Sequence, residues 1–216
     1  MGELAILVPV LGRPHRVKPH LDSIERCTPD ARVVFIADPD DGEEIAAIQR
    51  ERQGRPFTVE ILLSAGSYAR KINRGVMRTT EPLIFFGADD LEFLPRWFEE
   101  AKRWLSSGVK VVGVNDLLNR RRPFKATHFL VTREYADCPT IDGERGPLCE
   151  LYAHNFVDDE FVAVAKKRRA YVYAEGVKVK HHHPMGGAED DETYRRGRST
   201  FQHDRRIFKR RMKLWT

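Results

Sequence analysis

Four clusters of acids and imidazoles could carry chemistry in this chain. They are Asp38 with Asp40 and Asp41, Asp89 with Asp90, Asp158 with Asp159 and Glu160, and the run His181, His182 and His183. Asp89 and Asp90 are the most informative. Carboxylate oxygens suit hard divalent cations such as Mn2+ or Mg2+. A cation held there can bridge protein acids to a diphosphate and neutralise charge that builds on a leaving group. The plainer role of the pair is to end a strand or to cap the helix near Pro95. Asp158 and Asp159 can take the proton of a hydroxyl nucleophile. They can equally stabilise a helix start, where acids oppose the macrodipole. Alternation along an extended segment puts His181 and His183 on one face and His182 on the other. On the residues alone they can be solvated loop histidines. Arg70 and Lys71 offer positive charge to a diphosphate, or form an exposed basic helix face.

These side chains need elements to position them. Short apolar runs bounded by turn residues predict strands at Leu4–Val10, Arg32–Ala37, Phe57–Leu63 and Leu83–Phe86. Helical spacing predicts helices over Val17–Arg26, Glu43–Gln53 and Tyr68–Arg78, and another opened by Pro95. Further strands are expected at Val109–Val114, Thr127–Thr132 and Val177–His181, and a late helix at Asp159–Arg168. Strands that alternate with helices, each strand a continuous apolar run, argue for an α/β fold with a parallel sheet covered on both faces. Ligands of such sheets bind beyond the carboxyl ends of the strands. The acid and imidazole clusters follow strand ends, so they fall at that rim.

The order of the motifs adds a resemblance. Ser67-Tyr68-Ala69-Arg70-Lys71-Ile72-Asn73-Arg74-Gly75-Val76, then Leu83-Ile84-Phe85-Phe86-Gly87-Ala88-Asp89-Asp90, then Leu94-Pro95-Arg96-Trp97, resembles the central block of glycosyltransferase family 2. The likeness spans residues 4 to 185. It implies a GT-A fold, a mainly parallel twisted sheet flanked by helices. It also implies transfer of a sugar from a nucleotide-diphosphate donor, a UDP- or GDP-sugar, to an acceptor hydroxyl with inversion, assisted by Mn2+ or Mg2+. On the same grounds Pro9, Val10 and Arg13 match the nucleotide-binding first loop, and Asp38 the acid that contacts the base. Arg70, Lys71, Asp89 and Asp90 fall on the donor side. Asp89 with His181 or His183 would hold the metal. Asn155-Phe156-Val157-Asp158-Asp159-Glu160-Phe161 is similar to the motif that supplies the base, Asp158 first and Asp159 second. One departure stands out: the position two before Asp89, usually acidic, is Gly87.

Composition sets the outer bounds. The 216 residues are 41% hydrophobic and 32% charged, which fits one globular domain. No apolar run approaches the ~20 residues of a membrane span. The opening Met1–Ile6 lacks a basic stretch before its apolar run, so no secretory signal is expected. Three cysteines without CxxC spacing point to a reducing, cytoplasmic setting. The net charge of +5 belongs to the end of the chain: Arg195–Thr216 carries nine Lys/Arg and one Asp, leaving 28 basic against 31 acidic residues elsewhere. The reading is therefore a domain over 1–185 and an acidic-then-basic extension over 186–216. The extension either lies on an anionic surface, such as nucleic acid, or folds back through Phe208 and Trp215. This leaves two rivals to a transferase: a nucleic-acid-binding protein on the same scaffold, and a nucleotidyltransferase. The second would need a Gly-rich phosphate loop, and Leu11-Gly12-Arg13-Pro14 has one glycine. A DNA-modifying transferase combines tail and site, and the compact chain is similar to transferases of phage genomes. The acceptor, nucleic acid or a virion or surface component, would be selected by loops at 119–125 and 137–150.

Overall fold

The computed structural model describes residues 2–118 and 126–216, so the expected acceptor loop at 119–125 lies outside the described residues. Eight strands form one sheet: β1 (Leu4–Pro9), β2 (Arg32–Ala37), β3 (Val59–Leu63), β4 (Leu83–Phe86), β5 (Leu91–Phe93), β6 (Val111–Asn115), β7 (Phe129–Thr132) and β8 (Tyr171–His181). The helices are α1 (Pro14–Cys27), α2 (Gly42–Glu51), α3 (Tyr68–Arg78), α4 (Trp97–Leu105), α5 (Arg133–Ala136), α6 (Val157–Lys167), α7 (Glu192–Ser199) and α8 (Phe201–Arg211). The strand order is β3–β2–β1–β4–β7–β6–β8–β5.

The sheet is parallel from β3 to β4 and mixed beyond it. β7 runs antiparallel to both β4 and β6, β8 is parallel to β6, and β5 is antiparallel to β8. This directionality decides where the chemistry can sit. The carboxyl ends of β1, β2, β3, β4, β6 and β8 share one rim with the amino ends of β7 and β5. Residues that follow the first set or precede the second therefore converge. The sequence reading missed β5, because three residues carry no period.

Both faces are covered, as continuous apolar strands require. In β1, Leu4, Ile6 and Val8 pack on the side of α1, α2 and α4, and Leu7 packs on the other; in β4, Phe85 and Phe86 divide in the same way. The second face is closed by α3, α6 and α8. Gly75 lets α3 approach the sheet, since a Cβ there would come within 2.8 Å of the Leu7 side chain. Asn73 clamps the 146–150 loop, with its amide donating to the Leu148 carbonyl and its oxygen accepting from the Leu148 N–H.

The basic C-terminal segment folds back. Ile207 is buried in the second core layer, Phe208 stacks on Phe156 and Trp215 packs on Phe208. Arg211 is buried: it donates to both oxygens of Glu160 at 2.7 and 2.8 Å and pairs with Asp142. Glu160 also accepts from the Tyr152 hydroxyl. The outer side of α8 keeps Arg205, Arg206, Lys209 and Arg210 exposed.

Removing one partner of such a buried group leaves the other charge uncompensated. Arg211→Met is expected to cost about 3–5 kcal/mol, read as a fall in the urea midpoint. The Arg211 guanidinium holds the Asp142 carboxyl well below the usual carboxylate range. That stabilisation is present above the unfolded carboxyl pKa and is lost as pH falls toward the folded one. Melting temperature should therefore decline on acidification below about pH 4, and part of that decline should vanish in Asp142→Asn.

Candidate active site at the carboxyl rim

The first loop and β2 build one wall. Val10 donates its N–H to the Ile36 carbonyl, which joins the end of β1 to β2. The buried Lys71 ammonium reaches across from α3, 2.6 Å from the Val10 carbonyl and 2.7 Å from Asp38 Oδ1. Val10, Asp38 and Lys71 thus meet at the carboxyl ends of β1 and β2, where Pro9 ends β1. Arg70, one residue away on the helix, points elsewhere. It is exposed and lines a hollow of about 330 Å³ with Pro39, Leu63 and Arg74. Of the two basic residues expected at the diphosphate, only Lys71 reaches Asp38, because neighbouring helix positions diverge by about 100°.

Asp89 and Asp90 are both buried between β4 and β5. Arg13 Nη1 donates to Asp89 Oδ1 and to Asp90 Oδ2, each at 3.1 Å. Its backbone N–H is held by the buried Glu44 at 2.6 Å, and the Gly12 N–H by Asp41, which also caps α2. Burial pushes the Glu44 carboxyl up to about 6. The two aspartates are unequal. Burial beside the charge of Asp90 raises the Asp89 carboxyl, against the pull of Arg13. Burial acts to raise Asp90 as well, but His181, Arg13 and Tyr194 outweigh it and hold that carboxyl well below its ordinary value.

The structure changes the pairing that the sequence suggested. Asp90, and not Asp89, lies next to His181, with 3.4 Å between Asp90 Oδ1 and His181 Nε2. The cause is β5. Its antiparallel register sets Leu91 opposite His181, and His182 N–H donates to the Asp90 carbonyl. Asp89, on the other side, faces Arg13. The missing acid at position 87 also has a steric reason: Gly87 donates to the Leu7 carbonyl, and a Cβ would sit 3.1 Å from that oxygen.

His181 Nδ1 points the other way, 3.5 Å from Asp116 Oδ2. Burial would lower this imidazole, but hydrogen bonding and charge from Asp116 and Asp90 raise it to about 9. Asp116, His128 and His181 form a group whose candidate ligand atoms lie within 4.8 Å of one another. Asp116 follows β6 and His128 precedes β7, which is why the mixed sheet brings them to His181. The His183 ring packs against His181 at 5.1 Å, and its Nδ1 accepts from the Met185 N–H. His182 turns to the opposite side and meets Glu92 at 3.1 Å.

A divalent cation fits these residues. Asp116, His128 and His181 offer one carboxylate oxygen and two imidazole nitrogens within reach of one ion, and Asp89 Oδ2 is buried without a hydrogen-bond partner among the described residues. Oxygens with one or two imidazole nitrogens form a donor set suited to Mn2+. Asp158 and Asp159 occupy the first turn of α6. The charge of Asp158 acts on the Tyr68 hydroxyl and on His154, and the charge of Asp90 acts on the same two groups. The Tyr68 hydroxyl is buried without a hydrogen-bond partner among the described residues.

Sequence reasoning did not find Asp116, His128, Tyr68, Glu44, Asp191 or Tyr194. Asp191 sits among four consecutive acids, 189–192, which suggested pairing with the basic tail. Asp190 does pair with Arg198, but Asp191 reaches Arg13 in the first loop.

No family model and no curated relative matches the chain. Solved structures do. A mannosyltransferase of Pyrobaculum calidifontis, in complex with GDP-Man and Mn2+, aligns with a TM-score of 0.69 at 15% identity over 94% of this chain and 61% of its own. Glucosyl-3-phosphoglycerate synthase of Mycobacterium tuberculosis, in complex with phosphoglyceric acid, gives 0.60 at 12% identity over 88% and 82%. S. aureus TarS 1–349, in complex with UDP-GlcNAc, gives 0.62 at 12% over 91% and 64%. The chain spans less than two-thirds of the mannosyltransferase and of the TarS fragment. The fold is that of GT-A glycosyltransferases. None of the helices among the described residues is long and apolar enough to cross a membrane.

The brace behind α6 gives a direct check of the site's construction. Asp204 accepts from the N–H groups of Ala153, His154 and Asn155 at 2.9, 3.0 and 2.7 Å, just before Phe156 turns the chain at φ 66° into α6. Asp204→Ala should cost about 1–3 kcal/mol for the amides left unpaired. Hydrogen exchange should quicken selectively over residues 153–160.

Proposed function

We propose that this chain is a metal-dependent glycosyltransferase that moves a sugar from a UDP- or GDP-sugar to an acceptor hydroxyl with inversion at the anomeric carbon. What supports the reading is the carboxyl rim of the sheet, with the Asp38–Lys71 pair and the Asp89–Asp90–His181 cluster, and with Asp158 and Asp159 in the first turn of α6. Asp38 and Lys71 suit the base and ribose side of a nucleotide. Asp90 and His181, with Asp89 beside them, would hold Mn2+ or Mg2+; such a cation supplies charge neutralisation to the departing diphosphate. Arg13 stands where it can reach the same phosphates. Asp158 takes the acceptor proton as the hydroxyl attacks from the face opposite the diphosphate, with Asp159 as its alternative. Tyr68 offers a hydroxyl to the bound sugar.

The exposed basic side of α8 suits an anionic acceptor such as nucleic acid, and a virion or surface component is the other candidate.

The test is a thermal-shift panel of UDP-, GDP-, CDP- and TDP-sugars with and without Mn2+. One donor should raise the melting temperature only when the cation is present. Asp90→Asn should abolish that shift. Asp158→Asn should keep it and lower turnover about a hundredfold to ten-thousandfold. No shift with any donor would remove the proposal.

A further inference from the structure

Arg13 is buried in a way that the transfer reaction does not require. Its guanidinium faces four carboxylate oxygens. Nη1 donates to Asp89 and Asp90, Nη2 donates to Asp191 Oδ1 at 3.0 Å, and Nε lies 2.9 Å from Asp191 Oδ2. Tyr194 closes the arrangement. Its ring lies 4.4 Å under the guanidinium, and its hydroxyl donates to the same Asp90 oxygen that Arg13 contacts. Thr193 donates to the Leu11 carbonyl, which pins this segment to the first loop. Residues 191–194 come from the far end of the chain, yet they finish the rim that the first ninety residues begin.

Two acids buried side by side need a positive charge between them. Arg13 supplies it from within the chain. A divalent cation taken up by the same acids would meet a fixed positive charge already in contact with both. We propose that Arg13 is an internal counter-cation for Asp89 and Asp90, and that Asp191 and Tyr194 are positioning residues that hold it there. A divalent cation and the donor diphosphate then load by drawing the guanidinium off the acids and onto phosphate. Bare cation competes with Arg13 for the acids; cation with nucleoside diphosphate does not, because the diphosphate gives the guanidinium a new partner. This inference rests on the donor-site reading above, but it concerns binding and needs no turnover.

The experiment is titration of the full chain with Mn2+ alone, followed by the free-ion paramagnetic resonance signal, and then with Mn2+ plus UDP or GDP. Arg13→Gln should tighten binding of Mn2+ alone by about tenfold or more, since it removes a like charge from the acids. Asp191→Asn and Tyr194→Phe, which leave Arg13 in place, should tighten it by a smaller factor. In the Arg13→Gln background the Asp191→Asn change should add nothing, because its effect runs through Arg13. Arg13→Gln should also lose the gain in Mn2+ affinity that nucleoside diphosphate confers on the wild type. A fold-monitoring scan of each variant separates binding from unfolding, and Asp191→Asn and Tyr194→Phe serve if Arg13→Gln does not fold. Equal or weaker Mn2+ binding in folded variants overturns the proposal. So does an effect of Asp191→Asn that persists without Arg13. The donor reading fails separately, if nucleoside diphosphate never enhances Mn2+ binding in the wild type.

Discussion

Two adjacent aspartates withdrawn from water are the constraint that organises this molecule. A buried carboxylate pair is costly unless charge and hydrogen bonds compensate it. Asp89 and Asp90 are compensated from three directions: the first loop through Arg13, the end of β8 through His181, and the C-terminal segment through Tyr194. Each contact fixes one element against the rim. The mixed sheet makes the convergence possible, because six strands end and two begin at one edge.

The same logic explains why the C-terminal residues belong to the site. Tyr194 meets Asp90 and Asp191 holds Arg13 against the acidic pair, while Asp204 and Arg211 tie down the approach to α6 and its third acid, Glu160. One segment thus braces both the Asp89–Asp90 pair and the start of α6. Phe156, held at positive φ by stacking on Phe208, sits at the joint between them.

Much of the fold was legible because its first half obeys simple patterns. β1, β2 and β4 are unbroken apolar runs stopped by polar turns, and α3 carries its buried stripe at helical spacing. The motif order from Ser67 to Trp97 was enough to indicate the GT-A architecture. What stayed hidden had physical causes. β5 is three residues long, and its pairing with β8 moves the imidazole contact from Asp89 to Asp90. Arg70 and Lys71 look interchangeable in sequence, yet one helical step sends them to different surfaces. His128 precedes an antiparallel strand, so it reaches the rim from a direction that a parallel sheet does not provide. The four acids at 189–192 read as partners of the basic tail because local pairing is the simplest expectation, and the contact of Asp191 with Arg13 spans almost the whole chain.

The central claim is that Asp90 and His181 hold a divalent cation beside a nucleotide site at Asp38 and Lys71. Anomalous diffraction from crystals grown with Mn2+ and UDP or GDP tests it most directly. The account predicts one Mn2+ peak within bonding distance of an Asp90 oxygen and a His181 nitrogen, with the diphosphate on the same ion and the base beside Asp38 and Lys71. A peak elsewhere, or a nucleotide bound away from that site, would contradict it.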